Sequence, residues 1–371
     1  MISKLMLPDG AVEEMKIRPL LEGIDPTRQY FLWPADTCYP EYEARENNIP
    51  TDCDVAGHTS NAFNAPVINI KTTNPKLVLF ENGGLDLDKI KNTMALTSED
   101  SGELLVGLAN LLEGLTKLHT REAAHLDIKM PNVVAKKRDD GTYHVRFIDF
   151  GLTKEVRELA TSNLNVYTSD YFAWPYELRY IHDAYRRRGK ADNIADFYER
   201  PTVLHWNSHV VPIWRWYHIE NGRNYPLLAI TAGKDILRRA RAASPAYIIK
   251  AADIYSMGRV LAETFNYITG QKCTGPDTFI SKPRRPVNEE ISIPFWRLVV
   301  RMLSPDMFER PTAAEAAVEF KKIVPKIQEI YGITKPAVVG PAVVGPAVVG
   351  PAVVGPPVVG PAVVGPAVVG P

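Results

Sequence analysis

The chain has 371 residues, 45% hydrophobic and 23% charged, the balance of an ordinary soluble globular protein with room for two packed lobes. Lysine plus arginine number 43 and aspartate plus glutamate 43, so zero net charge excludes a global field drawing the chain to nucleic acid or anionic lipid. Cys38, Cys53 and Cys273 form no C-x-x-C pair, which excludes an obvious disulfide framework, argues against a structural zinc site and fits a reducing compartment.

At the N-terminus, MISKLMLPDG carries a charge at Lys4, and Pro8 cuts its apolar run short, so no secretory signal is expected. No run of roughly 18 helix-compatible apolar residues follows, and no membrane span is expected. LVLFENGGLDL, residues 77–87, passes from a strand-like run into a glycine turn and reads as a connector between lobes. Leu104, Leu108, Leu111 and Leu115, with Leu105, Leu112 and Leu118 beside them, recur with the period of one helical face. A core helix of a helical lobe is expected there.

HLDIKMPN, residues 125–132, sets Asp127 two residues before Lys129 and five before Asn132. KKRDDGTYH then reads as a hairpin tip, because Asp-Asp-Gly is turn chemistry between the β-prone runs VVAK and YHVRFI. The second run delivers Asp149, Phe150 and Gly151. Asp127, Lys129, Asn132 and Asp149 could thus converge at the hairpin's mouth. Such a set supplies a carboxylate to accept a hydroxyl proton, a cation to offset phosphate charge and oxygen ligands for magnesium.

Further along come the basic run YRRRGK with Arg186, Arg187 and Arg188, and the aromatic patch VLHWNSHVVPIWRWYHIENG. His205 and His209 are four apart with His218 beyond, but further ligands at sensible spacing are lacking, so zinc is not expected. Tryptophans packing over the helical lobe are the favoured reading, and a partner surface the alternative. From Pro336 to Pro371 the chain repeats PAVVG, with one PPVVG at 356–360. Proline every fifth residue forbids a continuous helix, so a flexible tail is expected, with elastin-like self-association as the sharper alternative.

Taken together, HLDIKMPN, Asp149-Phe150-Gly151, DIYSMGRVLAE at 253–263 and RMLSPDMFERPTAAEA at 301–316 resemble, in order, elements of the eukaryotic-type protein kinase family. The resemblance implies an α+β, two-lobe kinase-like fold: a partial N-terminal β lobe and hinge over 1–82, and a mainly helical lobe over 83–335. Residues 180–248 would be an insertion in that lobe and 336–371 a disordered tail. It implies ATP and Mg²⁺ as cofactors and a protein substrate, with transfer of the γ-phosphate to Ser/Thr hydroxyls and no nucleic-acid or membrane partner. Asp127 would be the catalytic base, Lys129 would contact the transferred phosphate, and Asn132 and Asp149 would bind magnesium. Phe80, Glu81 and Asn82 would form the hinge that meets adenine. His125, Gly151, Asp253, Arg310 and Glu177 would give structural support, with Glu177, from the A-P-E-like WPYE, paired to Arg310. Lysine at 129 resembles the serine/threonine branch.

The family's glycine-rich loop has no counterpart before the hinge, where the only glycines are Gly10, Gly23 and Gly57. M-I-S-K resembles the family's strand-lysine element, making Lys4 that lysine and Glu13 or Glu14 its helix partner. Either the gene start lies upstream of Met1, or the protein does without the loop. An inactive pseudokinase acting as a binding module is therefore the alternative to an active enzyme, and a small-molecule phosphotransferase a third reading. Leu126 stands where many kinases carry an arginine that pairs with a phosphorylated loop, so that control is expected to be absent. GIDPTRQYFLWPADTCY at 23–39, with the tail, resembles kinase-like proteins of large DNA viruses, implying host cytoplasm or virion; the general expectation is a cytoplasmic protein.

Overall fold

The computed structural model describes residues 2–39, 76–155, 175, 239, 243–275, 278–281, 289–304 and 306–333. Cys53, Glu177, the arginines at 186–188, His205, His209, His218 and the pentapeptide repeats lie outside them. The chain divides into two units, Met1–Thr334 and Lys335–Pro371, and every described residue belongs to the first.

Strand β1 (Ile2–Met6) is followed by helices α1 (Pro8–Lys16) and α2 (Arg18–Ile24). Pro8 opens α1, where its missing N–H would have had no intrahelical partner anyway. Pro19 could not continue α1, because its ring would meet the preceding turn; instead it lies in the first turn of α2. Strands β2 (Asp36–Cys38) and β3 (Lys76–Phe80) complete an antiparallel sheet in the order β1-β3-β2, with Lys4 opposite Val78.

After residues 81–84, β4 (Leu85–Asp86) leads into α3 (Leu87–Thr93), whose N-cap Asp86 accepts from Lys89 N at 2.8 Å. Helix α4 (Ser98–Thr120) begins with a capping box in which Thr97 and Asp100 satisfy each other's backbone amides. Its seven leucines at 104, 105, 108, 111, 112, 115 and 118 are all fully buried. Strands β5 (Ala123–Ala124), β6 (Val133–Lys137) and β7 (Tyr143–Phe147) follow, the last two paired antiparallel across a turn with Gly141 at φ +87°. β4 joins the outer edge of β6, and β5 pairs with β8 (Lys154–Glu155).

Helix α5 (Pro245–Thr269) starts at the Ser244 cap and ends at Gly270, φ +73°. Residues 245–248, expected within the insertion, are thus the first turn of a core helix, as a Ser-Pro start allows. A two-stranded ribbon, β9 (Gln271–Gly275) and β10 (Thr278–Ser281), precedes α6 (Glu289–Met302) and α7 (Ala313–Tyr331). The α4 leucines, Phe147, Leu261, Phe265, Phe295 and Phe320 share one core, in which Phe265 and Phe295 stack at 4.0 Å. Among the described residues no helix is long and apolar enough to cross a membrane.

The connection between α2 and β2 is bonded to both α4 and β7. Asp25, 2% exposed, accepts from Gln29 N, Tyr30 N and Phe31 N at 2.9, 2.6 and 3.0 Å. This coiled turn presents Gln29 O to Asn110 of α4 and His144 of β7, at 2.7 and 2.8 Å. Its exit runs beside β7, with Phe147 N donating to Tyr30 O and Leu32 N to Phe147 O.

Candidate active site

Strand β5 delivers the chain to residues 125–132, and one carboxylate fixes their start. Asp253 of α5, 1% exposed, accepts from His125 N at 2.7 Å and Leu126 N at 2.8 Å, while His119 Nε2 lies 3.1 Å away. Charge-assisted bonds of this kind hold Leu126 at φ +62°, a left-handed angle unusual for leucine. The His125 ring is buried beside Phe147 and Phe150, at centroid distances of 5.3 and 5.0 Å. Its Nδ1 accepts from Asp127 N at 3.3 Å, so the neutral ring's proton belongs on Nε2. Burial lowers its pKa despite nearby Asp253, Asp127 and Asp149.

Asp127, 6% exposed, is gripped by Lys129 Nζ at 3.0 Å from Oδ1 and 3.2 Å from Oδ2. Burial raises its pKa, opposed by Lys129. The single 3₁₀ turn Met130–Asn132 swings Asn132 back, so that its Nδ2 donates to Asp127 O at 3.0 Å. Asn132 O accepts from Ile148 N at 3.0 Å, which puts Asn132 and the residue before Asp149 side by side. Asp149 itself takes φ +61°. Gly151 does not need glycine's freedom: it has no positive φ, and a Cβ there would make only an ordinary contact, 3.6 Å from Asp149 Oδ1.

Lys4 reaches this cluster from β1. Its Nζ lies 3.4 Å from Glu14 Oε2 and 3.6 Å from Asp149 Oδ1. Of the two candidate glutamates, Glu14 faces inward and Glu13 pairs with Lys16 at the surface. Burial raises the Glu14 pKa, Lys4 opposes it, and the charge of Asp149 adds to the rise.

At residues 80–82, the expected hinge, Phe80 ends β3, Glu81 pairs with Arg146 Nη2 at 3.0 Å, and Asn82 Oδ1 accepts from Gly84 N at 3.0 Å. Arg310 is buried, donating to Ser304 O at 2.8 Å and Ala251 O at 3.0 Å with its guanidinium over Tyr255; its expected partner Glu177 lies outside the described residues. Sequence reasoning missed Asp25, His119 and Arg146. Only Asp25 carried a local signal, the Asp-Pro-Thr turn chemistry that follows α2.

The assembled groups can offer a base, a cation beside it, and a second acidic and basic cluster a few residues away in space. Comparisons with known proteins find similarity over part of the chain. A family model described as protein kinase domain matches residues 70–180. Ribosomal protein S6 kinase alpha-1 of Caenorhabditis elegans is 29% identical over 103 residues, 27% of this chain and 13% of the relative. Death-associated protein kinase 2 of mouse and of human is 26% identical over 99 residues, 27% of this chain and 26% of the relative. The chain therefore spans well under two thirds of these curated relatives. Residues 70–180 are thus similar to a protein kinase domain, and the order of the motifs along the sequence agrees with that likeness.

Proposed function

We propose that the chain transfers the γ-phosphate of ATP to serine or threonine hydroxyls of a protein. The observation that carries this reading is the pairing of two clusters: Asp127 with Lys129 and Asn132, and Lys4 with Glu14 and Asp149. In the reaction, Asp127 accepts the substrate hydroxyl's proton as that oxygen bonds to the γ-phosphorus, and the bond to the ADP oxygen breaks. Lys129 offsets charge on the transferred group, and Lys4, steered by Glu14, offsets charge on the phosphates that stay with ADP.

Magnesium fits the donor set. The amide oxygen of Asn132 and the carboxylate of Asp149 are hard oxygen ligands, and magnesium commonly takes one or two protein ligands plus phosphate oxygens and water. Among the described residues no group of three or more His, Cys, Asp or Glu side chains is arranged to hold a metal without such help. When bound, the ion would neutralise phosphate charge. The same reading divides the chain near residue 82 into a nucleotide-side lobe and a helical lobe.

The test is magnesium-ATP-dependent phosphorylation of generic basic and acidic proteins by the purified chain and by Asp127→Asn, which keeps size but removes the base. Turnover in the parent that falls by about 10²–10⁴ in the variant, with folding retained, is the expected result. No turnover and no ATP binding in either would move the assignment to a pseudokinase binding module.

A further inference from the structure

Beneath the hinge lies a charged side chain that the phosphoryl-transfer reading does not use. Arg146, on β7, is 1% exposed and among the largest fully buried side chains described. A buried guanidinium must be paired or its desolvation is not offset. Its partners come from two segments far apart in sequence. Nη2 donates to Glu81 Oε1 at 3.0 Å and Nη1 to Arg28 O at 3.3 Å, while Nε has no hydrogen-bond partner among the described residues.

Glu81, by contrast, is a hinge residue whose side chain is 43% exposed. Burial alone would raise its pKa, yet the Arg146 bond and charge hold it below the usual carboxylate value. The next hinge residues are seated on the same support. A Cβ at Gly83 would fall 2.7 Å from both Leu32 Cδ2 and Val134 Cγ2, so a side chain there would force those neighbours to shift. Arg146 thus joins the hinge, the 25–33 connection and the strand that leads to Asp149.

We propose that Arg146 is a positioning residue for the hinge: its ion pair with Glu81 fixes the seat of the 80–82 backbone and so sets affinity for the adenine ring, separately from affinity for the phosphates. This rests on the nucleotide-binding reading above. Lysine would not replace it, because a single ammonium cannot reproduce a planar fork bonded to Glu81 and Arg28 O at once.

Binding of adenosine and of magnesium tripolyphosphate would be measured separately on the full chain, Arg146→Lys, Glu81→Leu and Glu81→Gln, together with amide hydrogen exchange at residues 80–84. Arg146→Lys and Glu81→Leu should weaken adenosine roughly tenfold, the scale of one hydrogen bond to a charged group. Tripolyphosphate affinity should stay within about twofold, and exchange should quicken at 80–84 but not in α4. Glu81→Gln keeps an acceptor but loses the charge, so its adenosine affinity should fall between those of the parent and Glu81→Leu. Equal loss of both ligands, or hinge exchange unaltered in Glu81→Leu, would overturn the proposal. If the parent binds neither ligand, the nucleotide reading falls, and exchange alone decides: acceleration confined to 80–84 upholds the role of Arg146, and its absence removes it.

Discussion

Asp127 can accept a proton only when ionised, so the forces on its carboxylate set the pH range of the proposed reaction. Withdrawal from water raises its pKa above the ordinary 3.8; Lys129 at 3.0 Å pulls it back, and Asp149 pushes it up again. Activity should therefore rise with pH through a folded-state pKa above that of an exposed aspartate. Lys129→Met removes the opposing cation, so the acid limb of kcat/KM should move to still higher pH as well as losing height. A limb that stays in place would show that Lys129 does not tune the base. Strain at the same loop has a comparable local cause. Leu126 holds a left-handed angle that costs a non-glycine residue about 1–3 kcal/mol, and the two bonds that Asp253 accepts from His125 N and Leu126 N offset it.

Elements differ in what their glycines must do. Gly84, φ +90°, lies so close to β6 that a Cβ would sit 2.1 Å from Ala135 O, whereas Gly141, φ +87°, faces open space. Gly141→Ala should cost about 1–2 kcal/mol, the backbone term alone. Gly84→Ala should cost clearly more by urea unfolding, because β4 must part from β6 to admit the methyl group; equal losses would refute the close approach. Legibility in the sequence follows the same physical line. The leucines of α4 and the Asp-Asp-Gly turn between β6 and β7 announce themselves because periodicity and turn chemistry are local. Which of Glu13 and Glu14 meets Lys4 depends on how α1 lies against β1, and adjacent helical residues point about 100° apart. Nothing local in YHVRFI marks Arg146 as buried, because its partners, Glu81 and the carbonyl of Arg28, come from segments far away in sequence. The 25–33 connection has no period at all, and its role emerges only in the fold, where Asp25 collects three amides.

At the scale of the whole described unit, that connection is what ties the β1-β3-β2 sheet to the helical lobe. Asp25 coils it, Gln29 is bonded to Asn110 and His144, and Tyr30 to Leu32 run beside β7. Phe31, fully buried, stacks on Phe147 and meets Phe150 edge-on, which brings the connection to the aromatic pair flanking His125. Asp25→Ala would leave the amides of Gln29, Tyr30 and Phe31 without their acceptor, each costing about 1–3 kcal/mol where water cannot reach. Part of that cost would be relieved by letting the connection peel from β7. The loss should therefore show first as faster hydrogen exchange in residues 29–33 and in β1 and β3, with α4 and α5 still protected. Asp25→Asn retains an acceptor and should fall between the parent and the alanine variant. Because Lys4 and Glu14 stand on the peeled side and Asp127 and Asn132 on the other, ATP affinity should drop in step with that local opening, before global unfolding begins. Exchange that accelerates uniformly across all elements would instead mean that Asp25 supports the unit as a whole and does not act as its internal joint.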